Sequence, residues 1–252
     1  MTIKAFVFDA YGTLYDTHSV AAATEAAFPG HGDYITQVWR QKQLEYSWLR
    51  TAMGRWQDFR AVTRDSFEYT LATLGLTADP ATVDRLVSAY DRLTPYPEAA
   101  EALRSLGPYR RAILSNGSQP MLDSLVRNSP LNGLLDMVIS VDPKRVFKPH
   151  PHAYELIEER LGVAPEEVVF VSSNGFDIAG ATSFGLRVAR IERVPGDALR
   201  TELTGGPIGP AAMFKALRTQ PERLGCAPAA VIRALTALPD LLGRGVFGRG
   251  VF

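Results

Sequence analysis

The sequence predicts an α/β protein whose parallel sheet is interrupted, after its first strand, by a helical insertion. From residue 96 onward, short apolar runs alternate with segments of helical periodicity. Such alternation is typical of a parallel sheet with right-handed crossovers. Between residues 17 and 93 the apolar residues recur at helical spacing instead. These two patterns together predict a sheet core and a helical cap.

The first strand is expected over residues 3–8, a run rich in β-branched and aromatic side chains. Asp9 follows it, and Gly12 supplies a turn. Open α/β sheets build their sites at the carboxyl ends of strands, where a carboxylate can act as a nucleophile. A second carboxylate two residues on would help to bind Mg²⁺ and to protonate a leaving group, but Tyr11 stands there. The sequence therefore favours chemistry other than phosphoryl transfer.

The insertion is predicted to contain three helices, over residues 33–53, 56–74 and 79–93. Asp79 and Pro80 have the residue types of an N-cap and a first helical position. Pro95 and Pro97 close the segment. We therefore assign residues 16–95 to the cap.

The rest of the chain alternates regularly. Helices are predicted over residues 98–106, 120–128, 151–161 and 175–184, and strands over 111–114, 137–140, 167–171 and 186–191. Residues 194–210, rich in Gly, Pro and Thr, are predicted as loop, and 229–242 as a last strand and a short helix. The sequence Gly-Arg-Gly-Val-Phe occurs twice in residues 243–252, which we expect to form a frayed, disordered tail. The predicted core is a Rossmann-like parallel sheet built from residues 1–15 and 96–242.

Composition narrows the class of protein. Lys plus Arg and Asp plus Glu both number 27 in 252 residues, which argues against a nucleic-acid or membrane-surface partner. The single Cys226 excludes an internal disulfide and a thiolate metal cluster. No charged-then-apolar leader and no apolar run of transmembrane length occur. We therefore expect a cytoplasmic protein.

Four strand ends should meet at one edge of the sheet and bring polar side chains together. The motifs there are Phe-Asp-Ala-Tyr-Gly-Thr-Leu (8–14), Ser-Asn-Gly (115–117), Lys-Pro-His-Pro (148–151) and Ser-Ser-Asn-Gly-Phe-Asp (172–177). In these motifs and their order, the chain from residue 3 to about 242 resembles the haloacid dehalogenase superfamily, and within it the L-2-haloacid dehalogenases. The resemblance implies a Rossmann-like core with a helical cap, a homodimer, and neither a cofactor nor a metal.

The resemblance also implies catalytic roles. Asp9 corresponds to the nucleophile, Ser115 to the residue after the second strand, and Lys148 to the lysine that contacts the nucleophile. Asp177, with Ser172 and Asn174, corresponds to the group that positions the hydrolytic water. Thr13 and Tyr154 also match site positions, and we expect Tyr154 to shape the pocket rather than to react.

The remaining matches concern a 2-haloacid substrate. Leu44 follows Arg40 by four residues and Gln41 by three, so we expect the three side chains to share one helix face. The resemblance makes Arg40, Asn116 and Phe176 the halide contacts, and Ser115 a contact of the substrate carboxylate. It places Tyr11, Gln41, Leu44, Phe59 and Tyr154 around the substrate. Attack at the substrate carbon inverts it, so an L-2-haloacid would yield a D-2-hydroxyacid.

Two other functions stay open on the sequence alone. A Mg²⁺-dependent phosphatase of the same superfamily would need the carboxylate that Tyr11 replaces. A protein that only binds a small acid could keep the same fold without catalysis. The pair His150 and His152 suggests a metal site, but no third ligand is evident near it.

Overall fold

The structure is a computed structural model that describes residues 2–197, 199 and 203–250. Its strands are β1 (Thr2–Ile3), β2 (Ala5–Phe8), β3 (Tyr15–Asp16), β4 (Thr94–Pro95), β5 (Arg110–Ser115), β6 (Met137–Ser140), β7 (Val168–Ser172), β8 (Arg187–Ile191), β9 (Ala230–Ile232) and β10 (Arg249–Gly250). Six of them form one sheet in the order β6-β5-β2-β7-β8-β9, and each neighbouring pair is parallel. The predicted α/β class is confirmed.

The helices are α1 (Ala21–Ala27), α2 (Gly32–Ala52), α3 (Phe59–Thr73), α4 (Pro80–Ser88), α5 (Ala99–Ser105), α6 (Gln119–Arg127), α7 (Pro151–Leu161), α8 (Gly175–Phe184), α9 (Pro210–Leu217) and α10 (Leu238–Gly243). Asp79 caps α4 by accepting from the Thr82 N–H, as its residue type predicts. The helix predicted from residue 56 starts later, because Asp58 accepts from the Ala61 N–H and sets the first turn of α3. Neither α1 nor α9 was predicted.

The central strand β2 explains how the sheet holds its site. Its four side chains are fully buried, because helices or other strands cover both faces of a parallel sheet. β2 lies between β5 and β7, and its last residue, Phe8, is in register with Ile113 of β5 and with Val171 of β7. The residues that follow these three strands therefore meet at one edge.

Both ends of the chain differ from the prediction. The strand expected over residues 3–8 divides at Lys4, whose exposed ammonium pairs with Glu167 at 2.6 Å. The piece before it, β1, pairs in parallel with β10 of the predicted tail. Phe247 is fully buried, so apolar burial and a short strand pairing order residues that we expected to fray. Residues 251 and 252 of that tail lie outside the described residues.

The segment after β8 also differs from the prediction. Within the expected loop 194–210, the Leu203 N–H donates to the Leu199 carbonyl at 3.0 Å, a helical hydrogen bond. Residues 198 and 200–202 of that loop are not among those described. The last strand and short helix predicted within 229–242 are present as β9 and α10.

Helices α1 to α4 lie between two short strands that pair with each other. β3 and β4 are antiparallel, with Tyr15 opposite Pro95, close to the predicted cap limits. Trp39 of α2 packs on Phe67 of α3 with ring centroids 4.6 Å apart, and its indole N–H donates to the Thr63 carbonyl at 2.8 Å. The division into core and cap stays a prediction.

The helices can also be compared with the thickness of a bilayer. In the described part of the chain, none of them is both long enough and apolar enough to cross a membrane.

Candidate active site

Asp9 directly follows β2 and is 4% exposed. One carboxylate oxygen, Oδ1, accepts from the Lys148 ammonium at 2.8 Å. The other, Oδ2, accepts from the Asn174 amide at 2.7 Å and from the Thr13 hydroxyl at 3.2 Å. Hydrogen bonds to the charged form of a carboxylate stabilise that form. Three side chains thus fix the orientation of an ionised Asp9.

The Lys148 ammonium joins two carboxylates inside the protein. It is 1% exposed and donates to Asp9 Oδ1 and Asp177 Oδ2, both at 2.8 Å, and to the Leu114 carbonyl at 3.0 Å. Burial alone would lower the pKa of Lys148, but Asp177 and Asp9 outweigh it and raise that pKa above its usual value. The lysine is therefore a permanent positive charge between two acids.

Asp177 lies in the first turn of α8 and is fully buried. Its second oxygen, Oδ1, accepts from the Tyr154 hydroxyl at 2.8 Å. Burial raises the pKa of Asp177 to about 6, although Lys148 opposes the rise. A carboxylate with such a pKa is suited to exchange a proton near neutral pH.

Serine and asparagine side chains lie at the ends of β5 and β7. Asn116 Oδ1 accepts from the Lys148 backbone N–H at 2.8 Å. Its amide nitrogen donates to no other described residue, and the amide is 5% exposed. Ser115 and Ser172 are fully buried, and each accepts one backbone N–H, from Gly117 and Asn174 respectively, both at 3.2 Å. These groups can still donate to an anion.

An aromatic surface faces this polar group. Tyr11 stacks on Phe59 with ring centroids 5.5 Å apart and meets Tyr90 at 6.0 Å. The Tyr11 hydroxyl is buried and has no hydrogen-bond partner in the described part of the chain. Burial raises the pKa of Tyr11 above its ordinary value, so the phenol is neutral. The residue provides a surface and a donor, and no carboxylate.

Arg40 of α2 is 6% exposed, and its guanidinium donates to Gln43 Oε1 at 2.5 Å. Among the described residues it forms no ion pair with a carboxylate. Weakly hydrated and always charged, a guanidinium without an acidic partner is suited to bind an anion.

A cavity of about 300 Å³ adjoins Asn174. From the predicted cap, its lining includes Gln41, Leu44 and Trp48. From the predicted core, it includes Ser173, Asn174, Gly175, Phe176 and Arg190. The end of α9 and the segment after it add Leu217, Arg218, Gln220 and Glu222. Trp48 meets Phe176 edge-on at 5.2 Å. Asn174 connects this cavity with the nucleophile position, because its amide donates to Asp9 Oδ2.

Comparison with known proteins identifies the family. The model of the haloacid dehalogenase-like hydrolases matches residues 3–185. The chain belongs to the haloacid dehalogenase-like hydrolases. It is 61% identical over 220 residues to an (S)-2-haloacid dehalogenase of Xanthobacter autotrophicus, covering 87% of each chain. It is 46% identical to one of Pseudomonas putida, covering 77% of this chain and 86% of that one.

Solved structures agree with this assignment. The L-2-haloacid dehalogenase of Xanthobacter autotrophicus superposes with a TM-score of 0.93 at 59% identity, covering 97% of this chain and 99% of that one. The same enzyme with chloropropionic acid covalently bound matches with the same score, identity and coverage. The resemblance drawn from the sequence motifs is therefore confirmed.

Direct hydrogen bonds join six predicted site residues of this haloacid dehalogenase-like hydrolase, which are Asp9, Thr13, Lys148, Tyr154, Asn174 and Asp177. Tyr154 does not line the cavity. Its ring packs on Phe170 and Phe184, both at 5.8 Å, and its hydroxyl donates to Asp177. The ring is fixed in the core between α7, β7 and α8, and the hydroxyl therefore orients Asp177. Of the predicted substrate-binding residues, Gln41, Leu44 and Phe176 line the cavity. Like Tyr154, the others are not among its lining residues: Tyr11, Arg40, Phe59, Ser115 and Asn116.

The sequence motifs do not indicate Arg218. It follows α9 and lines the cavity. No motif marks it, and the sequence predicts no helix or strand between residues 210 and 229. Arg190 of β8 is a second cavity-lining cation of this hydrolase family member that the sequence motifs do not indicate.

The two histidines in Lys-Pro-His-Pro-His pack on each other with centroids 4.6 Å apart. In the described ranges, no group of three or more His, Cys, Asp or Glu side chains could hold a metal ion. Asp9 and Asp177 have the Lys148 ammonium between them. The positive charge at this position is thus an ammonium.

Proposed function

We propose that the protein hydrolyses L-2-haloacids to D-2-hydroxyacids through an ester formed on Asp9. One observation supports this above the others: the Asp9 carboxylate is held on both oxygens, by Lys148 on one and by Asn174 and Thr13 on the other. The relatives of the chain named (S)-2-haloacid dehalogenase support the substrate class.

In the first step an Asp9 oxygen attacks the carbon that carries the halogen. A carbon–oxygen bond forms on the face opposite the halogen, and the halide leaves with the bonding electron pair. The carbon is inverted. Asn116 and Arg40 offer donors for the halide and Phe176 the positive edge of its ring. Ser115 offers its hydroxyl to the substrate carboxylate.

In the second step water attacks the Asp9 side-chain carbonyl carbon. Asp177 takes a proton from this water, with Ser172 and Asn174 beside it. The bond between that carbonyl carbon and the ester oxygen breaks, and the departing alkoxide takes back the proton that Asp177 holds. The acid left on Asp9 releases its remaining proton to solvent. The 2-hydroxyacid therefore leaves with an oxygen that belonged to Asp9. The water oxygen stays in the regenerated carboxylate. A pKa of about 6 for Asp177 suits it to this proton transfer.

The reaction as proposed needs neither a metal nor a cofactor. A departing halide takes no proton, which removes the need for an acid at the position of Tyr11. The Lys148 ammonium lies between Asp9 and Asp177 and offsets one of their two negative charges. A cytoplasmic location and a homodimer belong to the same proposal.

Halide release from L-2-chloropropionate, with and without a chelator, tests this function. We expect release that a chelator does not change and that Asp9→Asn abolishes. Release that persists in Asp9→Asn, or no release from any of several 2-haloacids, would contradict the proposal. Hydrolysis of a phosphate ester that disappears with the chelator would favour the phosphatase alternative.

A further inference from the structure

Arg193, which follows β8, contacts both chain connections between the predicted core and the predicted cap. One guanidinium nitrogen, Nη2, donates to the Thr13 carbonyl at 2.6 Å, at the start of the first connection. The other, Nη1, donates to Glu98 Oε1, after the second connection. The guanidinium carbon lies 3.6 Å from the centroid of the Tyr96 ring. The Arg193 side chain is only 7% exposed, so a buried guanidinium bridges the two connections.

The two connections also pair with each other beside this guanidinium. The Tyr96 N–H donates to the Leu14 carbonyl at 2.9 Å, and β3 pairs with β4. Burial would raise the pKa of Glu98, but hydrogen bonds and the charge of Arg193 outweigh it and hold that pKa below its ordinary value. The Glu98 carboxylate is therefore ionised near neutral pH and stays paired with Arg193.

Thr13 connects Arg193 with the nucleophile. Thr13 is fully buried, and its hydroxyl donates to Asp9 Oδ2 at 3.2 Å and accepts from the Ser173 N–H at 3.0 Å. Both hydrogen bonds depend on the position of the Thr13 backbone, which Arg193 holds at the carbonyl. Arg193 is not among the residues that line the cavity beside Asn174. Its route to the reaction is through Thr13, and a misplacement of about 1 Å at a reacting group can cost on the order of 100-fold in rate.

The three contacts need the shape of a guanidinium. Its planar fork can donate to a carbonyl and to a carboxylate at the same time, while its face stacks on an aromatic ring. The ammonium of a lysine is a compact point charge, and it cannot make these three contacts together.

We propose that Arg193 is a positioning residue for Asp9. It clamps the two connections and thereby keeps Thr13, and with it the Asp9 carboxylate, in the orientation for attack. The inference rests on the proposed function and adds a residue to the same site.

The kinetic test compares Arg193→Gln with Arg233→Gln, a matched removal of an arginine that is 66% exposed and pairs with Glu192. In Arg193→Gln we expect kcat for L-2-chloropropionate to fall about tenfold and KM to change by less than about twofold, because substrate does not contact Arg193. Arg193→Lys keeps the charge without the fork, and its kcat should lie about threefold below that of Arg233→Gln. Arg233→Gln should match the unaltered protein. A kcat in Arg193→Gln equal to that in Arg233→Gln would overturn the proposal, and Arg193→Lys takes its place in this comparison if Arg193→Gln does not fold.

A double-mutant cycle with Thr13→Ala tests whether Arg193 acts through Thr13. The alanine lacks the hydroxyl that donates to Asp9 Oδ2. In the Thr13→Ala background, Arg193→Gln should lower kcat by less than about twofold, because the link to Asp9 is already broken. A further fall of about tenfold in that background would show that Arg193 acts by another route, and would overturn the proposal.

Hydrogen exchange measures the clamp without turnover. The Tyr96 N–H is bonded across the two connections and the Ser173 N–H to Thr13 Oγ1. Both amides should exchange at least about threefold faster in Arg193→Gln than in Arg233→Gln. Faster exchange at either amide supports the clamp even if the protein releases no halide. Unchanged exchange at both overturns the clamp even if the protein is an active dehalogenase, so failure of this inference and failure of the proposed function are separate results.

Discussion

The two sides of the active site differ in how completely their polar groups are paired. On the core wall, which we define as Asp9, Lys148, Asn174 and Asp177, every charged atom has a protein partner. On the cap-facing wall, defined as Tyr11, Arg40, Trp48 and Phe59, the Tyr11 hydroxyl and the Trp48 indole N–H are buried without a partner among the described residues.

We infer from this difference that the core wall serves catalysis and the cap-facing wall serves ligand binding. A wall that is fully paired before substrate arrives keeps the reacting groups in place, and such preorganisation is the main source of electrostatic catalysis. On the other wall, buried donors without an acceptor destabilise the ligand-free protein, and a bound ligand that accepts their hydrogen bonds removes this cost. Changes to the core wall should therefore reduce the rate of the chemical steps, and changes to the cap-facing wall should alter affinity.

The largest effect is expected from Lys148→Met. Without the ammonium, Asp9 and Asp177 share a buried site as like charges, so one of them takes up a proton. Breaking a buried ion pair from one side costs about 3–5 kcal/mol of stability, and kcat should fall on the order of 10³-fold. Halide release and urea unfolding measure the two effects. Lys144→Met, which removes a lysine paired outside the site with Glu155 and Glu159, should retain its activity.

A smaller, pH-dependent effect is expected from Tyr154→Phe. Asp177 accepts a proton only when ionised, so kcat should rise as the pH increases through about 6 and then level off. The Tyr154 hydroxyl lowers the pKa of Asp177, and its removal should move this rise to higher pH. We expect kcat to fall about threefold at pH 5.5 and by less than about twofold at pH 8. A pH profile that keeps its position would show that Tyr154 does not act through Asp177.

The smallest effect is expected from Tyr11→Phe on the cap-facing wall. Removing a buried hydroxyl that has no partner should leave the ligand-free protein equally stable or more stable, by up to about 1 kcal/mol. KM for a 2-haloacid should rise about threefold, because the variant can no longer donate this hydrogen bond to the bound ligand. Thermal unfolding and steady-state kinetics measure both. A less stable variant with an unchanged KM would place Tyr11 with the fully paired wall.

The sequence could predict the core wall because its members follow strands of one parallel sheet. Asp9, Asn174 and Asp177 belong to strand-end motifs, and parallel strands bring such ends together. Lys148 was predicted from its motif in the same way. The pairing of individual atoms, such as both carboxylates on one ammonium, depends on side-chain packing that no motif contains.

Other features could not be predicted for identifiable reasons. Arg218 belongs to no motif, and its position beside Ser173 depends on Arg190 of β8, which donates to the Arg218 carbonyl. The order of the tail depends on burial of Phe247 and on pairing with β1, at the opposite end of the sequence. Tyr154 could be assigned to the site but not to Asp177, since the direction of its ring is set by Phe170 and Phe184.

The central claim is that Asp9 itself supplies the oxygen of the product. A single turnover in heavy-oxygen water, with the protein in excess over L-2-chloropropionate, tests it most directly by mass spectrometry of the product and of the peptide that contains Asp9. We predict unlabelled D-lactate and heavy oxygen in Asp9, with label reaching the product only in later turnovers. Labelled D-lactate in the first turnover, with Asp9 unlabelled, would contradict the account.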